Sequence, residues 1–98
     1  MITHLRPTIL LILAFWILWS KLRTGNLDSS WDYQDSFDTR KDCENSAASW
    51  IETVSKNPFW KELLGKSKNR LRFISEDGHE TTLEYICVPD TVDPRPRR

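Results

Sequence analysis

Two cysteines, Cys43 and Cys87, stand downstream of an uncharged apolar run between Thr8 and Ser20, and this combination constrains the chain more than any other feature. An apolar run behind a basic start, here the free amino terminus and Arg6, reads as an export signal. Export places the rest of the chain where a disulfide forms and persists. Two cysteines admit a single intramolecular pairing, and the loop it closes, about 45 residues, is worth about 4 kcal/mol in the chain-entropy account. The sequence has 98 residues. Once a leader is set aside, one domain with a small core remains, and such a core supplies only about 3–5 kcal/mol. The cross-link then rivals the core itself. The alternative is a pair of buried free thiols in a reducing compartment.

The leader has two readings. From Pro7 to Ser20 no charge interrupts the chain. As a helix this stretch reaches about 21 Å, against a hydrocarbon core of about 30 Å. That is short for a span and suits the apolar region of a signal peptide, although no small-x-small cleavage site follows it. Lys21 and Arg23 behind the run offset Arg6 in front, so charge sets no orientation, and no cysteine near residue 20 offers a lipid anchor. In the divided reading the leader is residues 1–14, and Phe15-Trp16-Ile17-Leu18-Trp19 opens the domain as an aromatic strand. In the undivided reading residues 1–20 remain as an uncleaved anchor, held in the inner membrane through residues 7–20. A single domain over 15–88 and an extended, mobile Pro/Arg-rich tail over 89–98 complete the expected organisation.

Within the domain, Thr24-Gly25-Asn26 through Ser29-Ser30 is rich in turn formers. Trp31, Tyr33, Asp35 and Phe37 then alternate with Asp32, Gln34 and Ser36, a half-buried strand able to form a hairpin with Trp16–Leu22. Asp38 or Thr39 can cap a helix over about 40–55, where Cys43, Ala47, Trp50, Ile51 and Val54 recur at steps of three and four. Asn57-Pro58 ahead of Phe59, Trp60, Leu63, Leu64 and Gly65 reads as a second, short helix. Leu71 and Phe73 alternate with Arg70, Arg72 and Ile74 up to the turn Glu76-Asp77-Gly78-His79, after which Leu83, Tyr85 and Cys87 share one strand face. Both cysteines thus lie on apolar faces, one on a helix and one on a strand. The expected fold is two-layer α+β, with about four mostly antiparallel strands in the order β-β-α-β-β, the short second helix, and one main helix pinned to the sheet by Cys43–Cys87.

A Trp16-x-Leu18-Trp19 start, an aromatic strand, Phe37-x-Thr39 before a helix carrying Cys43, and the ending Cys87-Val88-Pro89-Asp90-Thr91-Val92-Asp93-Pro94-Arg95 resemble a group of small, exported, uncharacterised bacterial proteins. There the tryptophan-rich start directly follows the leader, which supports the divided reading. The resemblance implies no activity, and no functional residue is carried over from it.

The residues themselves disfavour chemistry. The histidines are His4, in the leader, and His79, in a turn; with Asp77 and Glu80 the latter makes an exposed polar turn rather than a defined metal site. A nucleophile would need an orienting base beside it, and phosphate cradling a glycine-rich loop, neither of which the pattern offers. The expectation is no enzyme, no catalytic or metal residues and no cofactor. Charge is uneven: residues 26–55 hold seven acids and two bases, residues 56–72 six bases and one acid. The formal total is +0, so no global field draws the chain to nucleic acid. Lys66, Lys68, Arg70 and Arg72 beside Trp60 and Phe73 are read as a solvated loop entering a strand, with a polyanion contact as the alternative. Of the five tryptophans, about four are expected in the core and Trp60 near the surface. The expected role is that of a small extracytoplasmic envelope protein, a non-catalytic binding or structural module that is periplasmic or secreted. The alternative is a single-pass accessory subunit whose partner is another envelope or membrane protein.

Overall fold

In the computed structural model, which describes residues 15–56 and 60–96, the alternating segments all pair into one antiparallel sheet. The elements are β1 (Trp16–Thr24), β2 (Leu27–Asp28), β3 (Asp32–Phe37), α1 (Arg40–Ser55), β4 (Trp60–Lys66), β5 (Arg70–Ser75) and β6 (Glu80–Pro89). β2 and β3 both pair along the same side of β1, so they act as one interrupted edge strand. From that edge the order is β1, β6, β5, β4, which makes five strand positions with α1 laid across one face. The α+β layering is as the sequence reads, with one strand more. Residues 1–14 lie outside the described residues, and so does the Asn57-Pro58 cap.

Period-two alternation dictates the two faces. Leu18 stands opposite Cys87, Ser20 opposite Tyr85, Leu71 opposite Leu83 and Phe73 opposite Thr81, and this row faces α1. The helix contributes Cys43, Ala47 and Ile51, and the core they close includes Leu18, Leu71, Phe73 and Tyr85. Leu18, Ile51, Leu71 and Cys43 are fully buried, and burying an aliphatic chain of this size stabilises by roughly 1.5–3 kcal/mol. Thr39 caps α1 with extended backbone, its hydroxyl accepting the Asp42 N–H at 3.1 Å. Gly78, at φ +90°, closes the β5–β6 turn in a conformation that side chains rarely adopt.

Three expectations need correction, and two share one cause. Trp60 to Gly65 is not a helix but part of edge strand β4. Its register places Trp60 opposite Ser75, Leu63 opposite Phe73 and Lys66 opposite Leu71, with irregularities between Trp60 and Glu62 and again between Leu63 and Gly65. Each bulge inserts a residue, so positions 60, 63 and 66 share the helix-facing side and imitate a helical spacing. A bulge also divides β3, where Leu18 pairs with Asp35 but Trp19 pairs with Tyr33. Tyr33 therefore turns to the outer face and stands edge-on to Trp19, with ring centroids 6.1 Å apart. Gln34, the extra residue, donates to Ser20 Oγ at 2.7 Å. The third correction concerns the tryptophans. Trp16 and Trp60 pack against the core, whereas Trp50 is 48% exposed because Ile51, not Trp50, carries the buried stripe of α1.

The apolar run before Lys21 ends inside the sheet: residues 16–20 form the first half of β1, and Leu18 is fully buried there. Among the described residues no helix is long and apolar enough to cross a membrane. Past β6 the chain turns, with the Val92 N–H donating to the Pro89 carbonyl, and Arg95 reaches back to stack over the Trp19 ring at 5.2 Å. Two bonds from Arg95 to the Asp93 carboxylate, at 2.8 and 2.6 Å, hold it there. Trp19 is consequently buried on the face that α1 does not cover.

Candidate functional site

The unequal lengths of neighbouring strands create a recess beside the end of β6. β5 begins at Arg70, opposite Glu84, while β6 continues to Pro89. The turn at 67–69 closes the β4–β5 hairpin through the Ser67 N–H and the Arg70 carbonyl, at 2.9 Å. Asn69 then caps the pairing: the Tyr85 N–H donates to the Asn69 carbonyl at 2.8 Å, and Asn69 Nδ2 donates to the Tyr85 carbonyl at 3.1 Å. Past Tyr85 the flank of β6 faces no strand. α1 runs over this gap, and the result is a cavity of about 490 Å³ between Arg40, Glu44 and Ala48 on one wall, Lys68 and Asn69 on the other, and Tyr85–Cys87 beneath.

The disulfide fixes this arrangement. Cys43 and Cys87 are bonded, as expected from their faces, with Cα atoms 6.1 Å apart, and no free cysteine is present among the described residues. Because Cys43 lies one turn before Ala47 on α1, the bridge sets the height of the helix wall above β6. Arg40 is held against that wall by Glu44, at 3.0 Å, and by the Trp16 ring, at 5.6 Å. Burial pushes the Tyr85 phenol up from its ordinary value, so it stays a neutral hydroxyl beside the recess. The recess therefore combines the β6 backbone beneath with amide, guanidinium, ammonium and carboxylate groups at its rim, chemistry that holds a ligand by packing and hydrogen bonds.

Other residues singled out by sequence fall elsewhere. The four-base cluster is dispersed. Lys66 faces the helix side and pairs with Glu52 at 2.7 Å, and Lys68 sits on the turn. Arg70 and Arg72 lie on the outer face, paired with Glu84 at 3.3 Å and Glu80 at 2.8 Å. Trp60 and Phe73 point to the opposite face, so no shared basic-aromatic surface forms. His79 lines a shallow recess with Thr24–Leu27. Its neighbour Asp77 accepts from the Ser75 hydroxyl, which keeps that carboxyl below its ordinary value. No group of three potential metal ligands is assembled among the described residues. Asn69 was missed by the sequence reading; once Trp60–Lys66 is taken as a strand, Ser67-Lys68-Asn69 is a turn signal between two strands.

Comparison of the chain with known protein families, with curated proteins and with solved structures finds no match.

Proposed function

We propose that this protein is a non-catalytic binding module of the extracytoplasmic space, and that it holds its ligand in the recess between α1, the 67–69 turn and the end of β6. The observation that carries this reading is the disulfide beside a recess of about 490 Å³. A cross-link that sets the wall of a cavity preorganises it, and preorganisation lowers the ordering cost of binding. A disulfide is also consistent with an oxidising compartment outside the cytoplasm. The apolar run ahead of β1 supports export of the same chain.

The test has two parts. Thiol trapping in intact cells should find the protein oxidised in the extracytoplasmic fraction; a reduced, cytoplasmic protein refutes the compartment. A photo-cross-linking residue in place of Ala48, on the wall, should give a discrete adduct in envelope fractions, whereas the same residue in place of Leu27, 77% exposed and remote from the recess, should not. Equal labelling from both positions, or none from position 48, refutes the recess as the ligand surface.

A further inference from the structure

Antiparallel pairing sets where each backbone group of β6 points. The Tyr85 N–H is bonded to Asn69, on the β5 side, so the pair Ser20–Tyr85 exchanges no bonds across β1–β6. Two residues on, the pair Leu18–Cys87 is of the same kind, and the N–H and C=O of Cys87 also point away from β1. On that side β5 has already ended, and among the described residues neither group has a backbone partner. Ile86 lines the recess as well. Its side chain belongs to the opposite face, across from Trp19, so it is backbone that β6 presents here. The sheet's two outer edges, β2/β3 and β4, are also open, but one bulge interrupts β3 and two interrupt β4 in the way that natural edges are blunted against pairing. The β6 edge carries no bulge and is walled by α1 and the 67–69 turn.

We infer that the recess takes a short extended peptide segment that adds to β6 as a strand, exchanging backbone hydrogen bonds with Cys87 and placing a carboxylate at Lys68. The inference rests on the reading of this recess as the ligand surface. The added stretch is short, about three residues at roughly 3.3 Å each, because Asn69 stops it at one end and Pro89, which has no N–H, at the other. Strand addition draws affinity from backbone pairing and specificity from side chains at alternate positions. The charge preference follows from the rim. Arg40 and Glu44 neutralise each other on the helix wall, whereas Lys68 makes no ion pair among the described residues. The net rim charge is positive, so an acidic side chain is complementary and a basic one is repelled.

The test uses the full-length oxidised protein, labelled for amide detection, and a blocked pentapeptide, acetyl-Val-Thr-Asp-Val-Thr-amide. Binding should shift the Cys87 amide and slow its hydrogen exchange. Two further peptides carry the same side chains but are N-methylated at odd or at even positions; one should bind at least about tenfold more weakly while the other keeps its affinity, because only alternate N–H groups pair. Replacing Asp by Lys in the peptide should weaken binding, and Lys68→Glu should reverse that preference without disturbing the fold. Several results overturn the inference: equal affinity of both methylated peptides, no response at Cys87, or indifference to the charge at position 68. A Cys87 response that depends on protein concentration alone also overturns it, since a second copy would then be the occupant. Failure of the peptide with a discrete adduct still formed from position 48 removes the strand and leaves the binding module.

Discussion

Leu18 of β1 and Cys87 of β6 stand opposite each other in the sheet, and the sulfur of Cys87 is bonded to Cys43 of the helix that covers them both. The central layer and the helix are thereby one covalent unit. Replacing both cysteines by alanine should lower the unfolding free energy by about 2–4 kcal/mol, read as a reduced urea midpoint. Denatured protein that has not been reduced should take up no alkylating reagent, and reduced protein should take up two equivalents.

The core is small, so single truncations are costly. Leu71→Ala or Ile51→Ala, at fully buried positions, should each destabilise by about 2–5 kcal/mol. Leu27→Ala, at 77% exposure, should change stability by less than about 0.5 kcal/mol. Chemical denaturation of the three variants distinguishes this packing from a core centred elsewhere.

Glu52 lies below its ordinary value of 4.5, first because Lys66 donates to it and then because of the lysine's charge. A carboxylate lowered in the folded state adds stability that is present above its unfolded value and lost as pH falls through the folded one. Acid titration should therefore weaken the α1–β4 contact from about pH 4.5 downward. In Lys66→Ala the Glu52 midpoint, followed by carboxyl NMR, should rise towards 4.5. Both groups are exposed, so the effect on overall stability is small.

Arg95 covers Trp19 on the outer face of the sheet. Arg95→Ala should speed hydrogen exchange at the Trp19 indole N–H and leave the Trp16 and Trp60 signals unchanged. The loss of the cation–ring contact itself should lower the urea midpoint only slightly, since Arg95 is exposed.

The parts legible from sequence were those with unbroken periodicity. α1 shows four-residue steps through Cys43, Ala47 and Ile51 and a capping Thr39, and its limits are as read. β5 and β6 alternate cleanly, and their faces predict which way Cys87 points. The misread segments both contain bulges. In β4 two insertions convert a period of two into a period of three, and Trp60 and Leu63 then pass for part of a helix stripe. In β3 one insertion sends Tyr33 and Phe37 to opposite faces although their spacing is even. A bulge is chosen by cross-strand pairing, and no local pattern announces it. The recess was hidden for a similar reason: it arises from β6 outrunning β5, a difference in length between partners that the chain reveals only once their register is known.

Because β1 and β6 are neighbours, the entry and exit of the folded domain meet at one corner, where the Asp90 N–H donates to the Phe15 carbonyl at 2.9 Å. The mouth of the recess lies at this same pole, while the Gly25 and Gly78 turns occupy the far one. A partner domain joined directly ahead of Phe15 would accordingly crowd the binding mouth, and a reporter inserted at the Gly78 turn would leave it clear.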